Sequence, residues 1–188
     1  MVIDIQRFDE SKVSSANTFV VDTNILIYLH RPQIDKKDIA EKYSTFVNKL
    51  RKIGCTLMVS SLHLLEALNA IDKTCWERHK AGLQKNKIIS RKFFRAIPEE
   101  RVKVKAEQSN FLRQVVQFYK IKPECVSLDD MVHYSDSLDT HYYDPIDFVI
   151  ASHYNTFGII TDDQDFTHDI NISTYTLIKS PTQSMPAS

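Results

Sequence analysis

The chain has 188 residues, of which 43% are hydrophobic and 26% are charged, values typical of a globular domain. This composition excludes collagen and a disordered chain. The three cysteines, Cys55, Cys75 and Cys125, are widely spaced and form no CxxC pair, which argues against a disulfide scaffold. No apolar run is long enough to span a membrane, and the first residues lack a signal-peptide pattern. We therefore expect a single-domain cytoplasmic protein with no membrane partner.

The net charge is zero, but the charges are unevenly distributed along the chain. Residues 73–105 contain eleven Lys or Arg and three acids, a local charge of +8. Residues 123–169 contain eleven acids and no Lys or Arg. This segregation predicts one surface that attracts anions and another that is crowded with carboxylates. Two solvated faces of opposite charge are the alternative interpretation.

Strands and helices alternate in the first half of the predicted structure. Apolar, β-branched runs predict buried strands, and amphipathic spacing predicts the helices between them. The predicted elements are a leader (1–17), a strand (18–22), a helix ending at Pro32, a helix (37–52) closed by Gly54, a strand (56–60) and a helix capped by Ser60 or Ser61. The buried face of this last helix is predicted to contain Leu62, Leu65, Leu68 and Ile71.

The second half combines a basic helical segment with the remaining strands. The predicted elements are a mostly helical basic segment (74–120) divided near Pro98, a helix from Asp144 to Asn155, a strand (159–161), a strand within 172–178 and a disordered tail (180–188). Alternating strands and helices imply a three-layer α/β/α fold over residues 18–179. Its central sheet is mainly parallel, and an extended helical region lies in the middle of the chain.

Several acids are expected at the carboxyl edge of this sheet, where binding sites of parallel α/β folds lie. Some directly follow predicted strands, and others lie near the start of the following helices. These acids are Asp22, Glu66, Asp147, Asp162, Asp163 and Asp165. Crowded carboxylates repel one another unless cations bridge them, and oxygen ligands without nearby cysteine favour Mg²⁺ or Mn²⁺.

Four short segments, VVDTNILIY, SSLHLLEAL, DPIDFVIASHY and GIITDDQDF, occur in the order found in the PIN-domain ribonucleases. The chain resembles this family, which includes VapC toxins of toxin–antitoxin systems, over residues 18–178. The resemblance implies catalytic and metal-binding roles for Asp22, Glu66, Asp147 and Asp163. Asp165 is a further candidate ligand, and the relative roles of the neighbouring Asp162 and Asp163 stay open. We expect Asn24 and Thr161 to orient the carboxylates.

The resemblance implies a metal-dependent endoribonuclease. In this reaction a water activated by Mg²⁺ or Mn²⁺ displaces the 3′ oxygen of an RNA phosphodiester, which leaves 5′-phosphate and 3′-hydroxyl ends. The resemblance leaves open whether the protein is a toxin with an antitoxin partner or an RNA-processing enzyme. It also leaves open whether the protein is a homodimer. A catalytically inactive PIN-like module that binds RNA or protein is the alternative.

The basic segment is predicted to guide single-stranded RNA toward the acids. Arg91, Lys92 and Arg95 are the candidate RNA-binding residues, because a site containing several carboxylates repels a polyanion unless positive charge lies nearby. The rings of Trp76, Phe93 and Phe94 are interleaved with these charges. They could stack on bases, although core packing is the commoner use of such side chains.

Overall fold

The computed structural model describes residues 2–31, 36–83, 89–123, 127–136, 157–163 and 173–177. The strands are β1 (Val2–Asp4), β2 (Thr18–Val21), β3 (Thr56–Ser60), β4 (Lys120–Lys122), β5 (Gly158–Ile160) and β6 (Thr174–Thr176). The α-helices are α1 (Thr23–His30), α2 (Lys37–Ile53), α3 (Ser61–Ala81), α4 (Arg91–Ala96), α5 (Pro98–Phe118) and α6 (Leu128–Asp136). Two 3₁₀ helices, Ile5–Arg7 and Glu10–Lys12, follow β1.

The six strands form one parallel sheet in the order β1-β6-β5-β2-β3-β4. The central strand β2 places Phe19 opposite Leu57 of β3 on one side and opposite Gly158 of β5 on the other. From β2 the strand order runs to β3 and β4 in one direction, whereas β5 and β6 lie in the other. The α/β class and the parallel sheet are therefore confirmed, and the arrangement is consistent with three layers. The strand order reverses between β2 and β5, and ligands of such sheets bind at this kind of switch point.

The hydrophobic core lies between the sheet and its helices. Phe19, Val20 and Val21 of β2 are all buried, as expected for a central strand that is covered on both faces. Helix α2 packs its apolar stripe against the sheet, as its spacing predicts. The buried residues of this stripe are Ala40, Tyr43, Phe46, Val47 and Leu50.

Local sequence determines where the helices begin and end. Gly54 adopts the left-handed conformation (φ 91°) at the end of α2, where its N–H bonds to the last carbonyls of the helix. The side chain of Ser60 caps α3 by accepting a hydrogen bond from the N–H of His63 at 3.2 Å. Pro98 occupies the first turn of α5 and separates this helix from α4, as predicted.

Two strands and one helix face differ from the sequence prediction. Strand β1 lies within the predicted leader, and β4 lies at the end of the predicted helical segment. Both are edge strands, and neither contains the continuous apolar run of a buried central strand. The predicted buried face of α3 is wrong at Leu65, which is 63% exposed, whereas His63, Ala67 and Ile71 are buried. Ile71 is buried as predicted and Leu68 packs against the core, so the error is confined to Leu65.

Some predictions fall outside the described residues. These are the helix from Asp144 that carries Asp147, together with Asp165, Cys125 and the tail 180–188. Cys55 and Cys75 are buried free thiols. Among the helices in the described part of the chain, none has the length and apolar character needed to cross a membrane.

Candidate functional site

Asp22 lies at the carboxyl end of the central strand, beside the switch point of the sheet. Its backbone N–H donates to the carbonyl of Ile160 at 3.0 Å, so it continues the pairing of β2 with β5. Its side chain is 4% exposed and makes no capping hydrogen bond to α1. Oδ2 of Asp22 instead accepts a hydrogen bond from the Thr161 hydroxyl at 2.6 Å. The carboxylate is thus directed toward the turn that follows β5 and does not serve as a helix cap.

Thr161 connects Asp22 to Asp163. Its side chain is buried, and its hydroxyl oxygen also accepts the backbone N–H of Asp163 at 2.9 Å. One hydroxyl therefore donates to the first acid and accepts from the main chain of the second. This arrangement fixes the turn after β5 relative to the end of β2, although the two acids are far apart in the sequence.

Asp162 takes part in a different set of contacts. The Tyr28 hydroxyl donates to Oδ2 of Asp162 at 3.1 Å, and the Tyr43 hydroxyl lies 3.3 Å from Oδ1. The Tyr43 hydroxyl also lies 3.0 Å from the carbonyl oxygen of Thr161. Burial, followed by the charge of Asp162, raises the pKa of Tyr28 to about 12, so this hydroxyl keeps its proton at neutral pH. Asp162 is directed toward α1 and α2, which favours Asp163 as the partner of Asp22.

Glu66 approaches the same edge from the other side of β2. It lies in the second turn of α3 and accepts a hydrogen bond from the Thr23 hydroxyl at 2.5 Å. Thr23 is buried and directly follows Asp22 in the sequence. The contact joins α3 to the start of α1, so Glu66 has a tertiary partner even though the residue is exposed.

The predicted acids are only partly brought together in the described part of the chain. Asp22, Glu66 and Asp163 flank the end of the central strand, but Asp147 and Asp165 fall outside the described residues. Within those residues, no three or more His, Cys, Asp and Glu side chains form a group that could hold a metal ion. The carboxylate donors that are present suit Mg²⁺ or Mn²⁺. Asn24 is exposed, and no hydrogen bond joins it to these acids in the described ranges.

Two of the three predicted RNA-binding residues form ion pairs that attach α4 to α3. Arg91 Nε lies 2.5 Å and Arg95 Nη2 lies 2.6 Å from Oδ2 of Asp72, which is 7% exposed. Burial alone would raise the pKa of Asp72, but hydrogen bonds from the two guanidinium groups reverse this effect and lower it. Lys92 is exposed and has no ion pair among the described residues. Arg91 and Arg95 of α4 therefore attach this helix to α3, whereas Lys92 contributes positive charge to the surface.

The aromatic residues of the basic segment also differ in accessibility. Phe94 is buried in the core, and the indole N–H of Trp76 donates to the carbonyl of Ile89 at 3.0 Å. Phe93 is 71% exposed. Of the three candidate stacking residues, Phe93 therefore offers an open ring.

The sequence analysis did not assign roles near the site to Thr23, Tyr28 or Tyr43. The amphipathic spacing of the helix predicted over 37–52 places Tyr43 on its apolar face, and its ring is buried in the core. The contacts of its hydroxyl depend on the position of the turn after β5, and no local pattern in the sequence encodes that position. Thr23 and Tyr28 likewise acquire their partners through tertiary packing.

Comparisons with known proteins identify no relatives: no family model matches the chain, and no curated protein matches its sequence.

Proposed function

We propose that this protein is a PIN-like, metal-dependent endoribonuclease. The proposed ligands of Mg²⁺ or Mn²⁺ are Asp22, Glu66, Asp147 and Asp163, with Asp165 as a further candidate. One observation carries the proposal: buried Asp22 at the switch point is bonded through Thr161 to the turn that contains Asp163. This is the edge of a parallel sheet where ligands bind.

The environment of Asp22 favours a functional role. A buried carboxylate is costly unless it is hydrogen-bonded, paired or bound to a cation, and the Thr161 hydroxyl supplies one hydrogen bond to Asp22. The side chain makes no capping hydrogen bond to the helix that it precedes, and its bond to Thr161 is directed to the turn after β5 instead. A bound divalent cation would compensate the charge of Asp22 together with those of the neighbouring acids.

The proposed reaction is the hydrolysis of an RNA phosphodiester bond at this site. A bound Mg²⁺ or Mn²⁺ ion supplies a water of lowered pKa and stabilises charge on the phosphate. Asp22 and Asp163 would provide carboxylate ligands, Glu66 would add another from α3, and Thr161 would hold Asp22 in position. In-line displacement of the 3′ oxygen leaves 5′-phosphate and 3′-hydroxyl ends. Thr23 would orient Glu66 through its hydroxyl.

The proposal includes single-stranded RNA as the substrate and the cytoplasm as the location. Two settings share this chemistry: a toxin held by an antitoxin protein, and an enzyme of RNA processing. A homodimer is compatible with both settings. An inactive PIN-like module that binds RNA or protein is the competing function, and the experiment below distinguishes it.

The test is the substitution Asp22→Asn, which keeps an acceptor for the Thr161 hydroxyl but removes the charge. We expect cleavage of labelled RNA to fall at least about a hundredfold, because removing a metal ligand costs more than the 10–100-fold typical of residues that support one. Mn²⁺ should raise the melting temperature of the parent protein and have a much smaller effect on the variant, since only native-state binding stabilises.

Asp129→Asn is the matched control, because it removes one exposed acid of α6 that is not among the proposed ligands. It should retain activity and the response to Mn²⁺. Equal cleavage by Asp22→Asn and the parent would contradict the proposal. RNA binding by the parent without any cleavage that a chelator can block would favour the binding module.

A further inference from the structure

We infer that Lys36 binds a phosphate group of the nucleic-acid strand at the α1–α2 side of the acid site. The inference rests on the proposed function and assigns this contact to a residue outside the basic segment 73–105. Three observations support it: the contact of Lys36 with Tyr28, the ion pairs that occupy four arginines, and the unfavourable position of a lysine at the start of α2.

The first observation is a set of contacts from Lys36 to Asp162, the neighbour of the proposed ligand Asp163. Nζ of Lys36 lies 5.8 Å from the centroid of the Tyr28 ring, within the range of a cation–π interaction. The Tyr28 ring stacks on Tyr43 at 6.2 Å and 26°. The Tyr28 hydroxyl in turn donates to Asp162, in the turn between Thr161 and Asp163. One aromatic ring therefore separates the ammonium group of Lys36 from the turn that follows β5.

This ring also restrains the lysine. Its face attracts the ammonium group, while its own position is fixed by the hydroxyl contact and by stacking. A flexible lysine loses side-chain entropy when it binds a ligand, and a side chain already held on one surface loses less. The ammonium group is a compact point charge that suits a phosphate oxygen.

The second observation concerns the other cations of the molecule. Arg91 and Arg95 are paired with Asp72, and Arg31 and Arg78 are paired with Glu107. Lys36 makes no ion pair with any residue that the structure describes. The four arginines already neutralise protein carboxylates, whereas Lys36, like Lys92, has no such partner in the described part of the chain.

The third observation is the local cost of this lysine. Lys36 is the N-cap residue of α2, and its side chain makes no capping hydrogen bond. The positive end of the helix dipole disfavours a cation at this position. Positions that violate a local structural preference are expected at functional sites. A lysine here opposes helix stability, in agreement with a binding role.

The experiment compares Lys36→Ser with Lys37→Ser. Lys37 is the exposed neighbour and makes no cation–π contact in the described residues, so it controls for the loss of one positive charge. Binding of a fluorescent single-stranded RNA is measured at several salt concentrations in the Asp22→Asn background. KM and kcat are measured in the active protein, and melting temperatures are measured for every variant.

We expect Lys36→Ser to weaken RNA binding about tenfold and to reduce the salt slope by about one, as for the loss of one phosphate contact. KM should rise more than kcat falls, and Mn²⁺ should stabilise this variant as much as the parent. The melting temperature should rise slightly, because the variant removes a cation from the positive end of the helix dipole. Lys37→Ser should bind RNA within about twofold of the parent. Weaker binding combined with higher stability is a pattern that a structural role for Lys36 does not produce.

Three outcomes would overturn the inference: parental binding by Lys36→Ser, equal weakening by both variants, or a melting temperature that falls together with RNA affinity. If the parent protein cleaves RNA in any of these cases, the proposed function stands without this contact. If the parent neither cleaves RNA nor responds to Mn²⁺, but Lys36→Ser alone weakens binding, the contact stands and the nuclease proposal fails.

Discussion

Thr161 and Thr23 bind the acids of the candidate site through their hydroxyl groups. Thr161 contacts Asp22, and Thr23 contacts Glu66. A hydroxyl can orient a carboxylate without neutralising it, whereas an arginine in the same position would compete with a cation for its charge. Asp72 is held differently, because two arginines form ion pairs with it.

The first prediction at the residue scale concerns Arg91 and Arg95. Their joint replacement by Ala should lower the free energy of unfolding by about 3 kcal/mol at neutral pH, because Asp72 would be left buried without its partners. Lys92→Ala should change the free energy of unfolding by less than about 0.5 kcal/mol, since its side chain is exposed. Urea unfolding of the two variants measures both effects, and equal stabilities would contradict this account of the ion pairs.

The pH dependence of this difference follows from the pKa of Asp72. Its folded-state pKa is lower than its ordinary value of 3.8, so the unfolded state binds more protons between the two values. The stabilisation is therefore complete above pH 3.8 and is lost as pH falls through the folded-state pKa. The stability gap between the parent and Arg91→Ala/Arg95→Ala should shrink over that range, provided that both proteins remain folded. A gap that widens on acidification would have the wrong sign.

Because Arg91 and Arg95 are paired with Asp72, they are poor positions for testing whether the basic segment binds RNA. Weaker RNA binding after loss of Arg91 or Arg95 would mix an effect on binding with an effect on folding. Lys92→Ala isolates the surface charge, because Lys92 has no ion pair in the described part of the chain.

At the scale of secondary-structure elements, strand β5 depends on a close approach that only glycine permits. A Cβ atom at Gly158 would lie 2.7 Å from the backbone oxygen of Ser173 and would also contact the ring of Tyr175. We expect Gly158→Ala to destabilise the protein by about 1–3 kcal/mol, because the backbone of β5 or β6 must move. Gly82→Ala is the control, since its nearest neighbour would be an ordinary contact at 3.5 Å. Thermal unfolding of both variants tests the prediction, and a stable Gly158→Ala protein would show that the two strands can separate without cost.

The sequence predicts elements well where burial is encoded locally. Strands β2 and β3 are continuous apolar runs, and α2 has a complete apolar stripe, so their positions are confirmed. Strands β1 and β4 are short edge strands, and β4 contains two lysines in three residues. Edge strands tolerate exposed charge, so the usual hydrophobic signal is absent.

The candidate site is predictable in part for a similar reason. An acid after a buried strand in a parallel sheet must lie near the carboxyl edge, which locates Asp22 from the sequence alone. The partners of Asp162 are not predictable in this way, because Tyr28 and Tyr43 reach it across more than a hundred residues. The same limit applies to Asp72, whose arginines lie on another helix.

At the scale of the whole molecule, the predicted leader is an integral part of the fold. Strand β1 pairs with β6, and Ile5 is buried in the main core. Ile5→Ala should therefore cost about 2–4 kcal/mol of unfolding free energy, as for other large-to-small core substitutions. Gln6→Ala, at the exposed neighbour, should be nearly neutral. Urea denaturation distinguishes the two, and a neutral Ile5→Ala variant would mean that this segment contributes nothing to stability.

The hydrogen bond between Thr161 and Asp22 also has a consequence for the synthesis of the protein. The two residues are separated by 139 positions, and β5 must pair with β2 before they meet. A growing chain emerges from its N-terminus, so Asp22 becomes available long before Thr161 and Asp163 have been made. A partly synthesised chain therefore lacks the contact that organises the site. If the proposed nuclease function is correct, the cell's RNA is protected from the unfinished enzyme by the order in which its residues are translated.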